Sequence, residues 1–272
     1  MSKMIRSSRA ALLACLLGLA AGRAEASITG LDDGAGFTLN GDAVGPPTIS
    51  NGVLTLTDSQ GSESRSTFFN TAQDVRSFTA QFTYRDVSPL PRGGDGVTFV
   101  IQNSSAGANA RGIGGASLGY GGIGQSVGVL FSLLNPNPGT GLGVNGSTGV
   151  STPPATFGPT GNVSLPSGDP IQVSLAYDGT TLTETLRDLT NSNTFTTSYA
   201  VNIPGVTGAS TAFVGFTGAT GSAISTQQIS NFTFTNNVAV PEPASLALLG
   251  LGLAGTFAAR AARRWGSHDG ME

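Results

Sequence analysis

The sequence predicts an all-β protein built as an antiparallel β-sandwich, and two observations carry that prediction. First, 40 of the 272 residues are glycine, while charged residues make up only 11% of the chain. Such a composition is typical of many short strands joined by tight turns rather than of long helices. Second, strand-like segments recur along the chain with no amphipathic helix between them, which favours two packed antiparallel sheets.

Nine segments have the periodicity of strands. Some alternate apolar and polar residues, as in Phe78 to Tyr84 (FTAQFTY), and others are almost wholly apolar, as in Val97 to Gln102. The pair Asp178-Gly179 predicts a tight hairpin between two further strands. The other candidates are Val53 to Thr57, Val127 to Leu134, Ile171 to Tyr177, Thr181 to Leu186, Phe195 to Val201, Ala212 to Phe216 and Ile229 to Phe234. Between them, Asn135 to Pro170 has little periodicity, so we expect a long functional loop or an irregular excursion there.

The first 26 residues have the pattern of an export signal rather than of the folded domain. Basic residues stand at the start, and an apolar run from Ala10 to Ala21 follows them. The run is too short to span a bilayer, and it leads to a small-residue cleavage pattern that ends at Ala26. We therefore predict a signal helix over residues 1–26, cut between Ala26 and Ser27. Its removal takes away the only cysteine, so the mature chain has no disulfide.

The C-terminus carries a second export-related segment. The tripeptide Pro241, Glu242 and Pro243 precedes an apolar run from Ala244 to Ala259, and three arginines follow that run. An apolar helix that ends in positive charge is typical of a membrane anchor oriented with its basic end in the cytoplasm. The segment predicts a membrane helix, with an ordinary tail anchor as the simplest reading.

The same residues closely resemble the bacterial PEP-CTERM sorting signal. The resemblance covers residues 239–265 and leaves a short tail over 266–272. It implies that the segment inserts transiently into the membrane until an exosortase-type protease cuts near the Pro-Glu-Pro. It further implies a Gram-negative bacterium and export to the cell surface, the outer envelope or the extracellular matrix.

The charge and residue inventory of the remaining domain excludes several classes of function. Residues 27–239 hold six arginines against twelve carboxylates, a net charge of about −6. Without a basic patch to neutralise phosphates, nucleic acid is disfavoured as a partner, and so is acidic polysaccharide. The only histidine, His268, lies in the tail, so the domain has no imidazole for a catalytic triad or the usual zinc site.

Several motifs resemble those of the legume-type (L-type) lectins, in the family's order and spacing. Together they cover nearly the whole of residues 27–238, and the resemblance implies a concanavalin A-like jelly roll. The motifs are GGDGVTFVIQN at 93–103, GGASLGYGG at 114–122, SVGVLFSLLN at 126–135, YDGTTLTETLRD at 177–188, AFVGFTGATG at 212–221 and QQISNFTF at 227–234.

The resemblance also implies a carbohydrate site, centred on Asp95. In the family an aspartate accepts hydrogen bonds from sugar hydroxyls, while a glycine-rich loop, an asparagine amide and the backbone after Ala-Thr-Gly contribute further bonds. By position these elements correspond to Asp95, to Gly114 or Gly115, to Asn135, and to Gly221 with Ser222. Taken alone, Asp95 between glycines reads as turn chemistry. Tyr120, beside the glycine-rich loop, is the candidate for an aromatic platform under the sugar ring.

The metal loop departs from the family pattern. The resemblance would place glutamate at Leu130, aspartate at Ser132, an aromatic residue at Leu134 and asparagine at Pro136. The following stretch, Pro138 to Gly141, contains neither a carboxylate nor an imidazole. Calcium needs about six oxygen ligands, several of them charged, so we predict that the family's calcium and manganese pair is absent. In the family the peptide bond before the aspartate is cis, and without the metal that bond is expected either to stay cis through packing or to revert to trans.

Three functions remain at this point. The first is an exported lectin that binds a neutral glycan or exopolysaccharide, and the second is a structural matrix or biofilm protein on a lectin scaffold. The third is a glycosidase on a similar sandwich, which requires two carboxylates across a cleft. The only glutamates of the domain, Glu63 and Glu184, do not stand in such a pattern, so we predict that the protein is not an enzyme.

Overall fold

The computed structural model describes residues 27–88, 93–134, 138–149 and 157–237. The predicted signal helix, the cleavage residue Ala26, Asn135, the Pro241-Glu242-Pro243 tripeptide and the predicted membrane helix lie outside these ranges. Within them, no helix is long and apolar enough to cross a membrane.

The described residues form a sandwich of two antiparallel sheets. The first sheet has the order β1-β4-β13-β7-β8-β9, with the short β5 also paired to β13. Its strands are β1 (Phe37–Asn40), β4 (Ser64–Phe69), β5 (Gln73–Asp74), β7 (Gly96–Gln102), β8 (Ser126–Ser132), β9 (Gly139–Val144) and β13 (Thr211–Ala219).

The second sheet has the order β12-β11-β10-β6-β14-β3-β2. Its strands are β2 (Thr48–Ser50), β3 (Val53–Thr55), β6 (Phe78–Asp86), β10 (Ile171–Tyr177), β11 (Thr181–Asp188), β12 (Thr194–Ala200) and β14 (Gln227–Asn236). One short helix, α1 (Ile203–Thr207), connects β12 to β13. The predicted antiparallel β-sandwich is therefore confirmed.

The main core lies between the sheets and is centred on aromatic side chains. Phe82 and Phe232 of the second sheet meet Phe99 and Phe216 of the first sheet, and all four are at most 1% exposed. The ring centroid of Phe216 lies 5.0 Å from that of Phe82 and 4.8 Å from that of Phe232. Edge-to-face pairs of this kind stabilise a core beyond the burial of their area, so this cluster fixes how the two sheets stack.

A second, smaller core covers the outer face of the first sheet. The segment between β7 and β8 folds back over that face and buries Leu118 and Tyr120 against Leu130 of β8. The hydroxyl of Tyr120 is 2.9 Å from the hydroxyl oxygen of Ser126, inside the protein. Because the Tyr120 side chain is fully buried, the expectation that it forms a platform for a sugar ring is wrong.

The stretch Asn135 to Pro170, expected as a loop or an irregular excursion, contains strand β9 at the edge of the first sheet. Its sequence, GTGLGV, has glycine at every second position, which hides the usual strand pattern. A Cβ at Gly143 would come within 2.8 Å of the Tyr120 ring, and one at Gly139 within 2.2 Å of a backbone oxygen. Close packing on the strand therefore requires glycine at 139 and at 143.

Glu184 of β11 is a buried carboxyl that joins the two sheets. It is fully buried, it accepts a hydrogen bond from Tyr199 Oη at 2.9 Å, and its Oε1 lies 2.8 Å from Thr140 Oγ1 of β9. Burial raises the pKa of Glu184 to about 7 from 4.5. The carboxyl therefore holds a proton in the folded protein at pH values at which the unfolded chain has lost it.

We expect the Glu184→Gln variant to lose part of the pH dependence of stability. The folded protein binds the Glu184 proton more tightly than the unfolded chain, whose pKa for this group is about 4.5. The free energy of unfolding therefore falls by up to about 3 kcal/mol as the pH rises from about 4.5 to 7. The measurement is urea unfolding of both proteins at pH 5 and pH 8. The other buried acids are present in both proteins, so the difference between their changes in unfolding free energy from pH 5 to pH 8 isolates Glu184. The same change in both proteins would contradict the prediction.

Candidate functional site

Asp95 lies where three strands of the first sheet end together. It directly precedes β7, its backbone N–H donates to the carbonyl of Ala219 at 2.9 Å, and its carbonyl accepts from the N–H of Leu133 at 2.9 Å. These bonds join it to the end of β13 and to the residues after β8. The Gly94–Asp95 peptide bond is cis, one of the two conformations considered from the sequence.

The carboxyl group of Asp95 is enclosed and has an unused acceptor. Its Oδ2 is buried and has no hydrogen-bond partner among the described residues, and the whole residue is 4% exposed. Burial raises the pKa of Asp95 to about 6. An unpaired buried acceptor of this kind is costly unless a donor satisfies it, so the carboxyl suits a ligand that donates a hydrogen bond.

Two glycines border this carboxyl and leave room for it. A Cβ at Gly221 would lie 2.9 Å from Asp95 Oδ2, and a Cβ at Gly115 would lie 3.5 Å from the same atom. Gly115 begins a short 3-10 helix in the loop that covers the first sheet, while Gly221 follows β13. The structure therefore brings together Asp95, Gly115 and Gly221, three of the residues predicted from the sequence.

The other predicted residues are placed less directly. A Cβ at Gly114 would meet the carbonyl of Glu63 at 3.0 Å, so Gly114 adjoins Glu63. Ser222 is exposed next to Gly221. The N–H of Gly221 donates to the carbonyl of Ala223 at 3.1 Å, so this backbone donor is already used within its own loop.

An ionic cluster centred on the buried Glu63–Arg65 pair, with the more exposed Asp58 at its edge, supports the loop after β13, and sequence reasoning did not identify it as part of the site. Arg65 Nη2 lies 2.9 Å from Glu63 Oε1 and 3.1 Å from Asp58 Oδ2. Glu63 is fully buried and Arg65 is 2% exposed. Burial raises the pKa of Glu63, the carboxyl of Asp58 raises it further, and the Arg65 guanidinium opposes both.

Backbone hydrogen bonds attach this cluster to the loop. The N–H of Thr220 donates to the carbonyl of Glu63 at 3.1 Å, and the N–H of Glu63 donates to Thr220 Oγ1 at 2.9 Å. Because Thr220 precedes Gly221, the cluster fixes the backbone that borders Asp95. The sequence does contain a signal for this ion pair: Glu63 and Arg65 stand two positions apart in a chain with few charged residues.

The donor set at the expected metal position does not suit calcium. Leu130, where the resemblance implies glutamate, packs into the second core, and Ser132 is a buried neutral residue. Within the described ranges, no group of three histidine, cysteine, aspartate or glutamate residues could hold a metal ion. A calcium site requires several charged oxygen ligands, so these residues do not fit the family's metal pair.

Taken together, the two-sheet sandwich and the glycine-bordered aspartate define a lectin-like protein. The legume lectin domain matches residues 27–248, so the chain belongs to that family. A PEP-CTERM protein-sorting motif matches residues 239–264, which identifies an export and cell-envelope sorting signal typical of Gram-negative bacteria.

Known proteins agree with this assignment. The L-type lectin-domain containing receptor kinase I.7 of Arabidopsis thaliana is 30% identical over 215 residues, which cover 70% of this chain and 32% of that protein. The chain thus spans about a third of the length of this curated relative.

Two solved structures show the same fold. Lectin I-B4 from Griffonia simplicifolia, in a metal-free form, has a TM-score of 0.63 at 19% identity and covers 78% of this chain and 100% of its own. The lectin from Bauhinia forficata in complex with GalNAc has a TM-score of 0.61 at 18% identity and covers 79% of this chain and 100% of its own. At these identities the likeness establishes the fold alone.

Proposed function

We propose that the chain is an exported carbohydrate-binding protein whose ligand is a neutral glycan or exopolysaccharide held at Asp95. The observation that carries the proposal is the buried, unpartnered Oδ2 of Asp95, bordered by glycines at 115 and 221. A sugar hydroxyl is a donor that can satisfy this oxygen, and a hydrogen bond to a carboxylate is about twice as strong as a neutral one.

The charge of the domain favours a neutral ligand. Twelve carboxylates outnumber six arginines over residues 27–239, so an acidic polysaccharide would be repelled at low salt. Among the residues predicted for the site, Asp95 is the only charged one, and it repels a second carboxylate directly. Nucleic acid is disfavoured for the same reason.

We further propose that binding does not depend on the family's calcium and manganese pair. Leu130 and Ser132 stand in place of charged ligands, and Leu130 is committed to the second core. Asp95 is held instead by backbone hydrogen bonds to Ala219 and Leu133. Chelator is therefore expected to leave binding unchanged.

The positions of the two glutamates favour a protein that binds glycan without hydrolysing it. Glu63 is paired with Arg65, and Glu184 is hydrogen-bonded to Thr140 and Tyr199. Both glutamates are fully buried, so neither is placed as an acid or a nucleophile across a cleft. The C-terminal motif adds a second partner, an exosortase-type protease that would remove the tail after transient membrane insertion.

A structural matrix protein on a lectin scaffold is the second candidate function. Two observations favour it: Asp95 is only 4% exposed, and the N–H of Gly221 is bonded to Ala223. A ligand must therefore displace part of the loop to reach the carboxyl. In this function the domain contributes a stable, exported sandwich to the matrix without binding sugar.

A glycan array on the domain, residues 27–237, decides between the two functions. We expect binding to neutral glycans that persists in chelator and falls at least tenfold in the Asp95→Ala variant, since the carboxylate is the charged acceptor. Thermal melts check that the variant is folded. No binding to any neutral glycan at high protein concentration would favour the scaffold, and binding abolished by chelator would contradict the metal-free site.

A second variant tests the glycine border in the same assay. Gly221→Ala places a Cβ 2.9 Å from Asp95 Oδ2 and must turn the carboxyl away, so it should weaken binding as Asp95→Ala does. The matched control is Gly124→Ala, because a Cβ at Gly124 meets nothing within 4 Å. Equal binding by the two alanine variants would show that Gly221 is not part of the binding site.

A further inference from the structure

The outer face of the second sheet presents a regular array of short polar side chains. The strand registers place five adjacent strands in three rows of outward residues, so that fifteen positions form one surface. Eleven of the fifteen are threonine or serine; we call this surface the hydroxyl face. Each row is given from β12 to β14. The first row is Thr194, Arg187, Gln172, Thr83 and Ser230; the middle row is Thr196, Thr185, Ser174, Gln81 and Thr233; the third row is Ser198, Thr183, Ala176, Thr79 and Thr235.

The hydroxyl face differs sharply in charge from the rest of the domain. It contains no carboxylate and one arginine, although the domain holds twelve carboxylates. It also contains no aromatic residue and no methionine. Protein interfaces are enriched in aromatic residues, methionine and arginine, so this face is poorly suited to a protein partner. Its hydroxyl and amide groups match a ligand that is itself neutral and rich in hydroxyls.

A groove runs along the middle of this face, over β10. The outward side chains of β10 include the small Ser174 and Ala176, while its neighbours β11 and β6 present longer ones. The resulting depression has a volume of about 290 Å³ and is lined by residues that include Thr79, Gln81 and Thr183. That volume is close to the lower end of typical small-ligand sites.

The two sides of the groove differ in their free hydrogen-bonding groups. On the β11 side the hydroxyls bond to each other across strands, with Thr185 Oγ1 3.2 Å from Thr196 Oγ1. On the β6 side, Gln81 and Thr233 make no side-chain hydrogen bond to other described residues, and neither does Ser174 on the floor. Donors and acceptors therefore face the groove from one side, while threonine methyl groups offer apolar contact from the other.

We propose that this groove binds an unbranched neutral glycan chain, laid along β10, at a site separate from Asp95. Free amide and hydroxyl groups pair with sugar hydroxyls, and methyl groups pack against the C–H face of the rings. The site belongs to the second sheet, whereas Asp95 stands at the end of strands in the first. One domain can then hold two glycan segments, which would cross-link a neutral polysaccharide.

The test is retention of the domain, residues 27–237, in native gels that contain amylose, β-1,3-glucan or β-1,4-mannan, with alginate as the charged comparison. The key variant is Ser174→Ile, which fills the groove with a side chain that strands tolerate well. Its matched control is Ala200→Ile, an exposed position on β12 outside the fifteen. We expect at least tenfold weaker retention by a neutral polysaccharide for Ser174→Ile and none of this loss for Ala200→Ile.

Further variants and a sedimentation measurement distinguish glycan binding in the groove from glycan binding at Asp95 and from binding of a protein partner. Asp95→Ala should lose the short glycans of the array but keep the retention by the long polysaccharide that Ser174→Ile weakens; loss of that retention in Asp95→Ala assigns all glycan binding to Asp95 and overturns the proposal. Gln81→Ala, which removes only one free amide, should weaken retention several-fold and covers the case in which Ser174→Ile fails to fold. Retention by no neutral polysaccharide overturns the proposal, as does a dimer in sedimentation that Ser174→Ile dissociates without any glycan effect.

Discussion

Replacing Arg65 with methionine is expected to lower the free energy of unfolding by about 3–5 kcal/mol, because it leaves buried carboxylate charge without a partner. Glu63 is fully buried and contacts the guanidinium at 2.9 Å, and Asp58 contacts it at 3.1 Å. Methionine has a similar length and keeps most of the packing, so the change isolates the charge. The loss should be largest at pH 8, where Glu63, whose pKa is raised by burial, is ionised.

The measurement is urea unfolding at pH 8, and Arg76→Met is the matched control. Arg76 also pairs with a buried aspartate, Asp74, but the Arg76 side chain is 53% exposed, so water can take the place of its guanidinium and we expect a smaller loss than for Arg65→Met. Equal losses in the two variants would mean that burial does not set the strength of the Glu63–Arg65 pair. A further readout is glycan binding, since the cluster holds Thr220 and hence Gly221 beside Asp95.

Truncating Phe216 to alanine is expected to cost about 3–5 kcal/mol, since it opens a cavity where the two sheets meet. The Phe216 ring lies edge-on to Phe82 and Phe232 of the second sheet, at 5.0 and 4.8 Å between centroids. It also contacts Phe99 on the neighbouring strand at 5.6 Å.

Chemical denaturation again provides the measurement, with Leu189→Ala as the control for truncating a large side chain. Leu189 is 44% exposed, so its loss should change the free energy of unfolding by less than about 1 kcal/mol. A cost for Phe216→Ala as small as that of the control would show that the aromatic cluster is not the packing centre of the sandwich.

Strands with a clear apolar pattern could be predicted from the sequence, and strands built for close packing could not. Phe78 to Tyr84 alternates, and it forms most of β6. Strand β4 reads SRSTFF and gives no such pattern, because its polar residues are buried. Arg65 belongs to the ionic cluster, and the hydroxyls of Ser64 and Ser66 donate to carbonyls of the loop that covers the first sheet. Strand β9 was missed because glycine is required where Tyr120 and a neighbouring backbone approach it.

The candidate site could be located from the sequence, but its enclosure could not. The resemblance to legume lectins pointed to Asp95, Gly115 and Gly221, and the structure brings these residues together. Whether they bind sugar stays a prediction. The burial of Asp95 and its support by Glu63 depend on contacts between segments more than a hundred residues apart, such as Glu63 with Thr220. Local patterns carry no information about such contacts.

The position of the last two strands has a consequence for the order in which an exported chain can fold. Strand β13 lies between β4 and β7, and β14 lies between β6 and β3, so the C-terminal strands fill the middle of both sheets. Until they arrive, the N-terminal strands have no neighbours on that side, and such distant pairings form slowly. Strand β14 ends at Asn236, just before the sorting motif at residues 239–264. The sandwich therefore cannot close until the chain has been exported as far as Asn236, at the edge of the sorting motif.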